Sequence, residues 1–403
     1  MSYVLWFIIA LSIVGAAFGY AGWRLISQAH LPFPWNLAAW GALALTVLLP
    51  LASLSAEFRR LDFAWKRELE WAAYIGLGFF SLLITLLLAR DLLWLVATGA
   101  RKLFAALSSP HNQSLPAGEA TDPHRRELLL QSVNLTLAGL AAGLTGYGIF
   151  EARRRPSIAE ITIPIRDLPG SLQGFRIVQI TDLHAGLTVA KPFVETVVEM
   201  ANAQMGDIVV FTGDLVDGNV EQLREDVSPM KNLHGRYGRY FITGNHEYYS
   251  GALPWIDEAQ RLGFDVLLNE HRVIRQGGGT IVLAGVTDTS AGGFIPGHRS
   301  DPHRAIAGAP KADVNILLAH QPKSLYEGSK AGFDLQISGH THGGQFIPWN
   351  LVATIGQPYI KGLHRYGPTW IYVSKGTGYW GPPVRIGARS EISVLTLVRE
   401  PAA

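Results

Sequence analysis

Cysteine is absent from the whole chain, which excludes disulfide bonds, thiolate catalysis and zinc held by sulfur. The absence leaves the redox compartment open, because a chain without thiols tolerates either side of a membrane. Charge is also scarce. Asp, Glu, Lys and Arg make up 16% of the 403 residues, against about 25% in an ordinary soluble domain. The two signs nearly cancel, with 34 Lys and Arg against 32 Asp and Glu, so the chain has no electrostatic footprint for a nucleic-acid partner. Apolar surface, by contrast, is plentiful. Hydrophobic residues reach 48%, including 11 Trp, 13 Tyr and 17 Phe, which excludes disorder as a general description. The length allows two or three domains.

The charge deficit is local. Residues 1–150 hold ten Lys and Arg and eight Asp and Glu, leaving 24 of each for the remainder. Four runs in that first part have the length and apolarity of bilayer-spanning helices, which take about 20 residues. They are Tyr3–Leu25, Leu37–Leu54, Trp71–Ala89 and Leu128–Phe150. Trp6 and Trp23 sit near the ends of the first, as interfacial aromatics do, and Pro50 is placed to kink the second. The third ends at Arg90–Asp91, and Leu92–Leu107, with Arg101 and Lys102, reads as a separate helix lying on the membrane surface. Residues 1–150 are therefore expected to form a four-helix, multi-pass region in an inner (plasma) membrane, residues 151–157 a basic linker, and residues 158–403 a globular domain.

Two orientation signals disagree. One side of the spans carries Arg59, Arg60, Lys66, Arg67 and Arg153–Arg155; the other carries Arg24, Arg90, Arg101, Lys102, Arg125 and Arg126. Seven cations against six give no usable positive-inside bias. Arg125–Arg126, followed by Glu-Leu-Leu-Leu and a glycine-rich apolar segment, resembles a twin-arginine export signal placed internally. That signal puts the globular domain on the outer, periplasmic face.

Beyond Pro156, short β-branched runs alternate with helical patterns. Strands are expected over Ile158–Arg166, Phe175–Thr181, Asp207–Thr212, Tyr240–Thr243, Val314–Ala319, Phe333–Ser338, Trp370–Ser374 and Ile392–Val398. Helices are expected over Lys191–Ala203 and over Pro254–Leu262, the latter opened by its proline. The fold class is α/β, with mixed sheets covered by helices, preceded by the all-α membrane region.

Five of these strands end in residues able to bind metal. The strings are Asp182-Leu183-His184, Gly213-Asp214-Leu215-Val216-Asp217, Gly244-Asn245-His246-Glu247, His320, and Gly339-His340-Thr341-His342. Ligands in open α/β sheets gather at the carboxyl ends of strands. Each string alone has an ordinary explanation as a turn, a cap or a core histidine. Five in succession, all supplying Asp, Asn or His and no Lys or Arg, do not arise from turn chemistry. Gly213, Gly244 and Gly339 are expected to let the backbone turn tightly before each ligand. Mixed oxygen and imidazole donors suit Mn²⁺, Fe²⁺, Zn²⁺ or Ni²⁺ better than Mg²⁺ or Ca²⁺.

In order, the five strings resemble the motif set of calcineurin-like metallophosphoesterases, over roughly Ile158 to Val398. The form Gly339-His340-Thr341-His342-Gly343-Gly344-Gln345 is similar to a bacterial membrane-associated branch of that superfamily. The resemblance implies a two-sheet metallophosphoesterase sandwich flanked by helices and two divalent metal ions. It implies one ion held by Asp182, His184, Asp214 and His342, and a second by Asp214, Asn245, His320 and His340, with Asp214 bridging. It further implies hydrolysis of a phosphomonoester, phosphodiester or pyrophosphate by a metal-bridging hydroxide, with His246 assisting the leaving oxygen. Asp217 is a candidate to orient a ligand histidine. Tyr248, Tyr249 and His364 are candidate substrate contacts. The aromatic residues after the last motif, Phe346, Trp349, Tyr359, Tyr366, Tyr379 and Trp380, read as a wall for a lipid-linked or aryl substrate, or as packing on a sheet edge. Two alternatives differ in class. A membrane phosphoprotein phosphatase would need an open polar groove, and a non-enzymatic, metal-stabilised membrane sensor would have no use for His246.

Overall fold

The structure is a computed structural model that describes residues 3–58, 61, 63–107, 123–186 and 188–401. It divides into two compact units, Met1–Tyr147 and Gly148–Ala403.

The first unit is built from α1 (Tyr3–Leu25), α2 (Trp35–Phe58), α3 (Lys66–Leu107) and most of α4 (Pro123–Arg153). Among the described residues, three segments, Trp35–Ser53, Lys66–Leu107 and Leu128–Arg153, are long and apolar enough to cross a membrane by length and composition. The sequence reading is corrected at two points. First, α3 does not break at Arg90–Asp91 but runs on to Leu107 as one helix of 42 residues, about 63 Å. The charges there are neutralised instead of marking an end. Asp91 pairs with Arg24 at 2.5 Å and with Arg90 at 2.8 Å, and the Tyr20 hydroxyl donates to it at 2.7 Å. Second, α4 runs through Arg153, so only three residues separate it from the first strand at Ser157. Arg125 is exposed near the start of α4, and the side chain of Arg126 lies outside the described residues.

The second unit contains two six-stranded mixed sheets. Its strands are β1 (Ser157–Ile165), β2 (Arg176–Ile180), β3 (Ile208–Phe211), β4 (Arg239–Phe241), β5 (Asp265–Val266), β6 (Glu270–Gln276), β7 (Gly279–Gly285), β8 (Val314–Leu318), β9 (Leu335–Ser338), β10 (Gly362–Tyr366), β11 (Thr369–Val373) and β12 (Glu391–Arg399). One sheet has the order β1-β12-β2-β3-β4-β5 and the other β10-β11-β9-β8-β7-β6. Period-two alternation assigns the two faces. Ile177, Ile208 and Val210 enter the core between the sheets with Ile281, Ile316, Leu318, Leu335 and Ile337. Their neighbours Val178, Val209 and Phe211 face outward into a helical layer.

That layer comprises α5 (Lys191–Asn202), α6 (Val220–Val227), α7 (Asn245–Ser250) and α8 (Ala252–Arg261). Val194, Val197, Leu223 and Trp255 are its contributions to the core. Over the other sheet, α9 (Pro302–Ile306) buries Ala305 against Ala284, Leu317 and Ala319. The remaining helices are α10 (Leu325–Lys330) and α11 (Trp349–Gly356). Hence the unit is a sheet-on-sheet sandwich with helices outside. The sequence reading missed α6, whose cap is Asn219 accepting from the Gln222 amide at 3.0 Å. It also missed β6 and β10, which lack a strong apolar run, and β7, whose run Ile281–Ala284 was readable.

Within the first sheet β2, β3 and β4 are parallel, and within the second β7, β8 and β9 are parallel. Parallel strands expose all their carboxyl ends at one edge, so the loops after β2, β3, β4, β8 and β9 gather there. Gln179 ties the two edges together: its amide donates to Thr212 Oγ1 at 2.8 Å in one sheet and to the Ser338 carbonyl at 3.0 Å in the other.

Candidate metal centre

Among the described residues, three side-chain groups bring their ligand atoms within 4.8 Å of one another: Asp182, His184 and His342; Asp214, His320 and His340; and His184, Asp217 and His246. Asp214 joins the first two groups. Its Oδ2 lies 3.7 Å from His184 Nε2 and 3.1 Å from His320 Nε2. Asn245 Oδ1 is 3.2 Å from the same His320 nitrogen, and His342 Nε2 is 3.6 Å from Asp182 Oδ1. Donors about 2.1 Å from one ion stand about 3.0–3.4 Å apart, depending on geometry; the 3.1 and 3.2 Å separations fall in that range, and those of 3.6 and 3.7 Å are slightly wider.

Imidazole chemistry gives an independent test of fit. His184 Nε2 faces His342 Nε2 at 3.0 Å, and His340 Nδ1 faces His320 Nε2 at 3.2 Å. Three of the four opposite nitrogens are engaged elsewhere. His184 Nδ1 is 2.8 Å from Asp217 Oδ1, His320 Nδ1 is 2.8 Å from the Thr212 carbonyl, and His342 Nδ1 is 3.1 Å from Arg385 Nη2. Two pairs of facing ring nitrogens beside buried carboxylates suit a cation at each pair, and outer partners of this kind fix the ring orientation.

The backbone is strained to aim these groups. Asp182, His184, Asp214, His340 and His342 all have positive φ, between 51° and 72°. Left-handed backbone costs a non-glycine residue about 1–2 kcal/mol, and such strain gathers at functional sites. The expectation for the three glycines is corrected in part. Gly213 has φ of 91° and does need its freedom to turn. Gly244 and Gly339 do not have positive φ; they are required because an added Cβ would stand 2.1 Å from Asp214 Oδ1 and 2.2 Å from Asp182 Oδ2 respectively.

Electrostatics follow from burial and from these contacts. Burial opposes ionisation of Asp214, but the His320 and His246 charges hold its carboxyl well below the usual range. His320 is raised well above its ordinary value, because Asp214 and Asp182 outweigh its burial. Burial and the neighbouring His184 hold His342 well below its ordinary value, and burial with His320 brings His340 down to about 4. His246, despite burial, is raised to about 9 by Asp214 and Asp217.

The remaining sequence candidates separate. Asp217 Oδ1 contacts both His184 and His246, at 2.8 and 2.6 Å. Tyr248 is buried, and its hydroxyl is 2.9 Å from His298 Nδ1. Tyr249 is exposed instead and meets the His246 ring edge-on at 5.1 Å, with Trp380 at 6.0 Å from the same ring. His364 stacks on Tyr359 at 4.2 Å, with Nε2 2.8 Å from the Lys361 carbonyl, and none of these contacts reaches the ligand groups.

Two residues of the site have no role in the sequence reading, although Glu247 stands in one of its five strings. Glu247 is wholly buried and accepts the amides of Gly244, Leu215 and Asp214 at 2.6, 2.7 and 3.0 Å. It clamps the two loops that present Asp214 and Asn245. Its place three residues after Gly244, at the start of α7, was a readable signal for amide capping. Arg385 is also wholly buried. Besides its contact with His342 it donates to the carbonyls of Ala388 at 2.6 Å and Lys375 at 2.9 Å, and nothing in the surrounding sequence marks it.

The family model of calcineurin-like phosphoesterases matches residues 175–344, a span that contains every one of the seven ligand candidates. A transmembrane protein with metallophosphoesterase domain from Danio rerio is 33% identical over 359 residues, covering 87% of this chain and 79% of that relative. An uncharacterized metallophosphoesterase of Helicobacter pylori is 38% identical over 284 residues, covering 68% of this chain and 73% of the relative. A ligand-rich strand edge, with likeness extending over most of the chain, leaves one assignment: this protein belongs to the calcineurin-like metallophosphoesterases, metal-dependent hydrolases of phosphoric esters.

Proposed function

We propose that the protein is a membrane-anchored phosphoesterase with a dinuclear centre, one ion held by Asp182, His184, Asp214 and His342 and the other by Asp214, Asn245, His320 and His340. The observation that carries this reading is the position of Asp214 Oδ2, within 3.7 Å of a ligand nitrogen in one group and 3.1 Å in the other. A bound pair of divalent ions supplies a water of lowered pKa and positive charge for the phosphoryl oxygens. His246, with Nδ1 against Asp217, keeps Nε2 for the substrate and delivers its proton to the leaving oxygen. Glu247 and Asp217 hold the loops and rings so that little reorganisation accompanies the reaction.

Phosphomonoesters, phosphodiesters and pyrophosphates all suit this chemistry. The exposed rings of Tyr249, Trp380 and Phe294 around His246 favour a substrate with an aryl or lipid portion over a phosphoprotein, which would fit an open polar groove. The apolar helices, and the relative named as a transmembrane protein, support membrane anchoring. Arg125–Arg126 supports the periplasmic side for the catalytic domain. The direct test is metal content and hydrolysis of p-nitrophenyl phosphate by the detergent-purified full chain. Two ions per chain at full activity are expected. Full activity with one ion, or after complete chelation, would sink the dinuclear reading.

A further inference from the structure

The helix α11 (Trp349–Gly356) begins seven residues after His342 and has no buried residue. Ile347, Trp349, Leu351, Val352 and Ile355 are all exposed, Ile355 to 86% and Leu351 to 64%. Isolated exposed apolar residues need no explanation, but a contiguous group does. The segment is not loosely held. Phe346 before it is buried, and Gln357 after it accepts from the Lys323 amide at 3.0 Å and donates to Gln321 at 3.1 Å. Gln321 adjoins His320 in the chain, so the C-terminal end of α11 is fastened beside a proposed metal ligand.

The surrounding chemistry selects the partner. From Leu335 to Ser390 the chain has five Lys and Arg and no Asp or Glu, so nothing in this stretch repels an anionic surface. The distance along the chain points the same way. Three residues separate the last apolar helix from β1, a reach of about 10 Å, so the chain passes from an apolar helix to the first strand with almost no linker.

We propose that α11 docks on the lipid surface, with Leu351 and Ile355 in the acyl boundary, and brings the mouth of the metal centre to headgroup level. This rests on the reading that the chain is membrane-anchored, and it narrows the substrate to a phosphate ester borne by the lipid surface. An interfacial helix of this kind sinks its apolar face about 5–10 Å below the headgroups. No covalent step is added to the hydrolysis.

The absence of cysteine makes the test clean. Single variants Ile355→Cys, Leu45→Cys and Met205→Cys are labelled with a polarity-sensitive fluorophore in the full chain, in nanodiscs of phosphatidylcholine and phosphatidylglycerol. Leu45 lies in an apolar span. Met205 is 84% exposed and precedes β3, at the end of the sheet opposite the metal ligands. The Ile355 label should be quenched by doxyl lipids and be at least about threefold less open to iodide than the Met205 label. Adding Leu351→Glu should restore iodide access at position 355. If the Leu45 label is lipid-quenched while the Ile355 label is as open to iodide as Met205, the docking proposal fails and membrane anchoring stands. Shielding of Ile355 from iodide without doxyl quenching would mean a second protein copy covers α11, which also overturns the proposal. An iodide-accessible Leu45 label would remove the anchoring itself, and the docking with it.

Discussion

Asp217 Oδ1 lies 2.6 Å from His246 Nδ1, so a carboxylate that ligates neither proposed ion fixes the ring proposed to face the substrate. The same oxygen is 2.8 Å from His184 Nδ1. One residue therefore orients a metal ligand and the proposed acid together. Asp217→Asn should weaken metal binding by about 10–100-fold and also reduce turnover when metal is restored in excess. Metal titration followed by calorimetry, with activity at saturation, separates the two effects. Unchanged metal affinity would confine Asp217 to His246.

His246→Ala should retain both ions and slow turnover by about 10²–10⁴-fold for alkoxide leaving groups. The loss should be smaller for p-nitrophenolate, which departs without a proton. An equal loss for both leaving groups would exclude proton donation by His246.

Asp214→Asn should reduce turnover by at least about a hundredfold, because a neutral amide bridges two cations poorly. Metal content should fall below two ions per chain. Normal turnover with metal still bound would remove the bridging role.

Glu247→Gln tests the clamp rather than the chemistry. Three amides converge on this carboxylate, and a carboxamide can accept from fewer of them while turning an N–H towards the rest. Stability of the catalytic unit should fall by about 2 kcal/mol, with a loss of metal affinity that Glu247→Asp does not rescue. A melting temperature and metal affinity equal to those of the wild type would show that the loops hold themselves.

Replacing Arg125 and Arg126 together by Lys keeps the charge and any positive-inside contribution, but removes the guanidinium pair. In intact spheroplasts the wild-type catalytic domain should be open to external protease and the double variant protected. Equal protection of both would put the domain in the cytoplasm, and equal digestion would take the export role from the arginines.

The strings that carry the proposed ligands are short and local: Asp182-x-His184, Gly213-Asp214, Asn245-His246, His320 and His340-x-His342 each follow a strand. The strands themselves were legible for the same reason, since a run of four or five apolar residues is buried on both faces. What the sequence could not convey is anything that depends on distance between strings. The reach of Asp217 to two histidines, the Glu247 clamp and Arg385 behind His342, 43 positions later, exist only because parallel strands from two sheets end at one edge. The continuity of α3 is of this kind too. Arg90–Asp91 looks like a stop along the chain, but Arg24, on another helix, neutralises it. Even the glycines divide this way. Their positions are sequence facts, yet only the folded backbone separates Gly213, which needs a positive φ, from Gly244 and Gly339, which need to have no Cβ beside a carboxylate. Sequence sets which groups are available and the local direction of each; tertiary structure decides which of them share a site, because that is set by the packing of elements far apart in the chain.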